Sequence, residues 1–409
     1  MRSIETLIPQ AGRADTAGLL EVDAPTLARY VADHSHPWWR RSPCVIALTG
    51  RVPERYVPEL TARIRDAHDA AEVRRDLLDL LADREELLPW LRHDDRGSDT
   101  SYGMPEAFLK ARGLLGDRTA AHDLVTLAAS PWQCDRAVGE AGLDGLVDRH
   151  GVDTILAAVG TDRPEDRLFR LRMRYRADED VTDALADPDR RVAHRAQWFA
   201  DDADRLRAYI GEAPTTEAKL WAAYALHGVT EDAAETRSLY DRLGRPRVEV
   251  EGLDEELRAA IVHEYAPGCE PTSDPRWRIE ALCTDPPARP DVDDQLRRAT
   301  AALTEAGLAP KPPVSCGEDN QQGDGTYHVI EAAGRRVLIS TLGPFATDEE
   351  EGYEEDSDDY AAARQALERA GFRWIDVETG TIRVTGLCVY YFGGRGPLTV
   401  GALLFYWQD

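Results

Sequence analysis

Nine carboxylates fall within twelve residues of this chain, from Asp348 to Asp359, the densest group of chemically capable side chains it carries. Hard divalent cations take several carboxylate oxygens. The run DEEEGYEEDSDD, however, lacks the alternating ligand order and the sixth-position glycine of a calcium loop. No metal is assigned to it. Asp348, Glu349, Glu350, Glu351, Glu354, Glu355 and Asp356 read either as a solvated loop of mutually repelling charges or as an acidic finger against a cationic protein surface. A second group is basic and aromatic. Arg190, Arg191 and Arg195 stand at i, i+1 and i+5 of one helical segment with Trp198 close behind. Arg and Trp commonly anchor protein interfaces, so this is the expected partner-contact patch. Ordinary ion pairing with the plentiful Asp and Glu is the other reading.

Other reactive types give no constellation. The six cysteines (Cys44, Cys134, Cys269, Cys283, Cys316 and Cys388) are far apart and form no CxxC. Metal sites need paired ligands and disulfide scaffolds need density. Cys44, Cys134, Cys283 and Cys388 lie in apolar runs, where Cys serves as a small buried hydrophobe. His263-Glu264 lacks a second His four residues on, and His34 and His36 cannot share a helical face. There is no phosphate loop, GxSxG, HExxH or kinase set. Gly393 to Gly396 reads as a hairpin turn. No catalytic residue and no cofactor is assigned. Trp38, Trp39, Trp90, Trp132, Trp198, Trp221 and Trp277 are expected mostly as core filling, with a subset on a groove.

The net charge of −26 works against nucleic acid, whose binders cluster Lys and Arg on one face. Lys occurs only three times, against abundant Arg, Ala, Gly and Asp. That bias matches GC-rich bacterial coding. No stretch approaches the roughly 20 apolar residues of a membrane span. Residues 1–17 lack the apolar core of a secretory signal. With dispersed cysteines, a cytoplasmic location is expected.

The elements that must hold these groups are helical from about Asp23 to Gly307. In Ala71 to Leu91, Val73, Leu77, Leu78 and Leu81 make one stripe. Four segments share a polar residue before Pro, an Arg and an apolar helix. They start at His36, Ser130, Asp187 and Asp274, with 94, 57 and 87 residues between their prolines. The segment LADPDRRVAHRAQWFA, Leu185 to Ala200, resembles the second helix of a HEAT repeat, and AAEVRRDLLDLLAD from Ala70 is similar. The resemblance, over about 23–285, implies a solenoid of α-hairpins with an extended recognition surface. An irregular helical bundle is the alternative.

From Thr326 the period changes to two. TYHVIEA and RVLISTLG read as a hairpin across AGR. A helix from about Tyr360 ends at Gly371, and three strands follow: FRWIDVE, TIRVTGLCVYYFG and LTVGALLFYW. The helix at 291–306 is offered as a second helix of this unit, and 308–325 as a Pro- and Gly-rich linker or long loop. The last strand is apolar on both faces and so requires cover on both, expected from within the chain. The expected fold is mostly α: a helical array, 1–285, then a small α+β domain with an antiparallel sheet, 286–409.

This architecture implies a non-enzymatic scaffold, adaptor, immunity or regulatory protein with a protein partner of basic character. The HEAT-like DNA glycosylases are the enzymatic alternative. Trp198 and Asp187 are the nearest analogues by residue type, and the acidity speaks against it. Self-assembly through the apolar last strand is a third reading, and the oligomeric state is left open.

Overall fold

The computed structural model describes residues 3–93, 99, 101–349 and 358–408. The chain is mostly helical, with small sheets gathered at its C-terminal end. Compactness divides it into Met1–Ala177 and Asp178–Asp409.

In the first unit, a sequence spacing becomes a stack of α-hairpins. The helices Ala24–Ala32 and Val57–Arg65 begin 33 residues apart. So do their successors Trp38–Ala47, Ala71–Leu80 and Met104–Leu114. Pro25, Pro58 and Pro89 each sit in the first turn of the leading helix, where the missing N–H costs nothing. Leu27, Leu60 and Leu91, two residues on, are all buried in one core.

A buried guanidinium ties successive hairpins. Arg41 Nε donates to Val31 O at 2.9 Å, ten residues back, and its fork grips Asp69 of the next loop at 2.6 and 2.7 Å. Arg74 repeats this with Ile64 O at 2.9 Å and Asp99 at 2.6 Å. Further on, the Gln133–His150 helix lies so close to its neighbours that a Cβ on Gly113 would overlap the Gly142 carbonyl.

The second unit is organised around the Thr216–Thr230 helix, which buries Trp221 completely. The helices Arg190–Phe199, Ala203–Glu212, Ala233–Arg242 and Pro275–Cys283 pack on it. Strand β1, Val314–Ser315, then begins a five-stranded sheet of order β1-β3-β4-β5-β6. Strands β3, Tyr327–Ala332, and β4, Arg335–Ser340, form the expected hairpin. Strand β5 is Phe345–Asp348 and β6 is Arg373–Trp374, the one parallel pair in this sheet. The Val292–Glu305 and Asp358–Arg369 helices share a core with the sheet through Ala299, Leu303, Ile330, Val337, Ala363 and Leu367. The 291–306 segment is therefore the second helix of this layer.

Several sequence expectations are corrected here. The 308–325 stretch is a folded segment. It holds β1, a turn of helix at Cys316–Asp319 with a Ser315/Glu318 capping box, and β2, Asp324–Gly325. The strand expected at FRWIDVE stops at Trp374, because Asp376 caps a short helix, Val377–Gly380, by accepting the Thr379 N–H. Strand β7, Arg383–Tyr391, is interrupted by Gly386 at φ +78 and a register shift. Strand β8 starts early, at Gly394, and ends at Thr399.

The Thr399 side chain then accepts the Ala402 N–H and opens a helix, Val400–Leu404. Val400, Leu403 and Leu404, which read as the two faces of a strand, are one buried helical stripe at i, i+3 and i+4. The chain returns to strand only at β9, Trp407–Gln408, paired with β2. Cover comes from the Glu255–Tyr265 helix: Leu257, Ile261 and Tyr265 share a core with Val400, Leu403 and Leu404, and Tyr265 Oη donates to Leu403 O at 2.5 Å. That core runs across the expected 285/286 boundary, and the compact division falls instead at 177/178.

Candidate functional site

The Arg190–Phe199 helix starts where Asp189 accepts the Arg191 N–H at 2.9 Å. Arg190 Nε donates to Glu217 at 2.8 Å and its Nη2 to Asp274 at 2.8 Å. Arg191 is folded back onto Asp189, at 3.0 Å. Arg190 and Arg191 of the expected patch are thus engaged in ion pairs, the ordinary reading of such residues. Arg195 lies on the exposed side with its guanidinium 5.9 Å from the Phe199 ring. Trp198 is 67% exposed.

Beneath Trp198 sits an aromatic column. The His194 ring is edge-on to Trp198 at 6.3 Å and to the buried Trp221 at 5.7 Å. Burial, with help from Arg278 and Arg195, pushes the His194 imidazole down to about 3. Asp187 is used locally, its Oδ1 accepting the Asp189 N–H at 2.8 Å. The tryptophans divide: Trp221 and Trp277 are core, whereas Trp38, Trp132 and Trp198 are exposed. Cys134 is exposed too, against the expectation of burial, and the six thiols are unpaired.

The acidic stretch begins on the sheet. Asp348 ends β5 and is buried, its Oδ2 accepting from Arg335 Nε at 2.5 Å. Arg335 also lies 5.3 Å from the Tyr360 ring. Glu349 donates its N–H to Arg336 O at 2.9 Å, and its carboxylate pairs with Arg336, which also grips Asp319 at 2.6 and 3.1 Å. The two carboxylates raise the Arg336 pKa further above its ordinary value. These two acids are therefore anchors of the sheet, a correction to the loose finger expected of them. Glu350, Glu351, Glu354, Glu355 and Asp356 lie outside the described residues.

Between strands β4 and β5 and the two short helices is a pocket of about 290 Å³. Leu338, Ile375, Val377 and Phe405 make apolar walls, and Asp348, Glu349 and Asp376 bring carboxylates to it. Thr399 and Ala402 close one side, so the helix that sequence reading took for strand builds the pocket. Thr347 Oγ1 donates to Ile375 O at 2.8 Å and fixes the wall that carries Asp376. Asp376 Oδ1 accepts the Thr379 N–H at 2.9 Å. That hydrogen bond, with smaller contributions from Arg364 and Arg373, keeps its carboxyl below the usual aspartate value and so ionised. Among the described residues it has no ion-pair partner within 4.0 Å.

Sequence reading passed over Asp376. The available signal was its Asp-x-x-Thr capping spacing before Gly380, which ends the expected strand. In the first unit, a cleft of about 490 Å³ opens between the 33–37 and 66–70 loops, lined by His34, His36, His68, Trp38, Asp66 and Asp69. Among the described residues no group of three His, Cys, Asp or Glu could hold a metal ion, and no helix is long and apolar enough to cross a membrane.

Comparison with the sequence profiles of known families, with characterised proteins and with solved structures finds no match to this chain.

Proposed function

We propose that this chain is a protein-binding scaffold, of the adaptor, regulatory or immunity kind, whose partner presents a basic face. The observation that carries this reading is the acid-rimmed pocket. Glu349 and Tyr360 both line it, and seven further carboxylates lie on the chain between them. Charge of this density steers a cationic partner and fixes its orientation, adding more to association rate and specificity than to raw affinity. The stacked α-hairpins of the first unit, with their HEAT-like sequence resemblance, supply an extended second surface. Trp198 and Arg195 give a further exposed anchor on the second unit. Six unpaired cysteines suit a reducing, cytoplasmic setting, and the Arg-over-Lys bias suits bacterial coding.

The test is capture of a partner from host lysate on the immobilised full-length protein. A discrete protein with a basic surface is expected at low salt. It is expected to be lost near 1 M salt, where the screening length is about 3 Å. Changing Glu350, Glu351, Glu354, Glu355 to Gln and Asp356 to Asn is expected to weaken it at least tenfold. Capture that is indifferent to both salt and these substitutions overturns the reading. Tight binding of duplex DNA at physiological salt favours the glycosylase-type alternative in its place.

A further inference from the structure

We propose that the pocket beside Asp376 receives one basic side chain of the partner, an ammonium or guanidinium on its alkyl stem. This rests on the basic-partner reading above and names the contact that gives it specificity. Three features of the pocket select such an occupant.

Its volume of about 290 Å³ is at the lower end for small-molecule sites and suits a side chain better than a cofactor. Its walls, Leu338, Ile375, Val377 and Phe405, are apolar and suit a methylene stem. Its charges are unbalanced. Asp348 is matched by Arg335, and Arg336 is shared between Asp319 and Glu349. Asp376 is left ionised by its capping contact with Thr379 and, among the described residues, has no ion-pair partner within 4.0 Å.

An ionised carboxylate on apolar walls pays a desolvation cost when a partner covers it, unless that partner brings the opposite charge. A neutral or acidic group seated there is therefore penalised, and a cation is rewarded. Two lining residues already hold a guanidinium in this way, since Arg335 lies over the Tyr360 ring and pairs with Asp348.

Two substitutions isolate the contact. Asp376→Asn removes the charge and keeps the cap, since Asn caps helices as well as Asp. Ala402→Leu fills the pocket from the Val400–Leu404 helix without touching a charge. The probes are octa-arginine, octa-lysine and a length-matched octamer of alternating Gly and Ser, titrated into the full-length protein by calorimetry. Thermal unfolding verifies that each variant is folded.

Binding of one or both basic peptides is expected, none of the neutral one, and each variant is expected to weaken the basic peptide about tenfold. The stronger of the two basic peptides identifies guanidinium or ammonium as the preferred head. If the basic peptides bind both variants with wild-type affinity, the pocket proposal is overturned and the basic-partner reading stands. If neither basic peptide binds the wild-type protein, both fall. Should Ala402→Leu fail to fold, Asp376→Asn alone decides.

Discussion

At the scale of single residues, this protein spends its arginines on holding helices together. Arg41, Arg74 and Arg258 are buried, and each donates to a carbonyl ten residues back and to a carboxylate further on. In Arg258, Nε and Nη2 reach Glu280 at 2.7 Å each, and the guanidinium lies 4.4 Å from the Trp277 ring. Removing one member of such a pair strands a charge in the core. Glu280→Gln is expected to destabilise the fold by about 3 kcal/mol, read as a shifted urea midpoint. The double change Glu280→Gln with Arg258→Met is expected to recover part of that loss.

His194 gives a pH prediction with a definite sign. Its imidazole sits near 3 in the fold against an ordinary value of 6.5. Below pH 6.5 the unfolded chain takes up a proton that the fold rejects. Stability is therefore full above about 6.5 and falls as the pH drops toward 3, by up to about 1.4 kcal/mol per unit. His194→Phe should flatten that part of the stability profile, measured by urea unfolding between pH 7 and about 4.5.

At the scale of elements, backbone approach and capping decide what the side chains can do. Gly139, Gly142 and Gly145 line one face of the Gln133–His150 helix, and a Cβ on any of them would press on neighbouring atoms. Gly142→Val is expected to cost about 2–3 kcal/mol through overpacking, visible as a lowered melting temperature. Thr399 decides a conformation as well as a contact, since its hydroxyl opens the helix that closes the pocket. Thr399→Ala is expected to lose about 1 kcal/mol and to weaken basic-peptide binding. Thr399→Ser, which keeps the cap, should restore both.

At the scale of the molecule, the helices at 255–265 and 275–283 belong with the C-terminal strands. Trp277 Nε1 donates to Thr385 O at 3.2 Å, and Asp274 N–H to Gly386 O at 2.8 Å. A fragment 286–409 would strip Val384, Leu387, Leu403 and Leu404 of the helices that share their core. It is expected to be aggregation-prone, whereas 178–409, one compact unit, is expected to be soluble and to unfold cooperatively. Circular dichroism and sedimentation of the two fragments check this.

What the sequence alone determined is what neighbours in the chain decide. The helical stripes, the Pro-led helix starts, the β3–β4 hairpin and the 291–306 helix all rest on local periodicity and capping, and these were legible. The 33-residue spacing of the first unit was present too, in Pro25 and Pro58 with Pro89 following after 31, but it differs from the spacing of the Pro-Arg segments. Only the tertiary structure decided the rest. Whether LTVGALLFYW is strand or helix is open at the level of alternating apolar residues; packing against Leu257, Ile261 and Tyr265 closes that choice. The pocket is assembled from residues 338 to 405, and its unpaired charge exists because each arginine chose a different carboxylate. Such choices among distant groups are made by three-dimensional proximity, to which periodicity and spacing along the chain are blind.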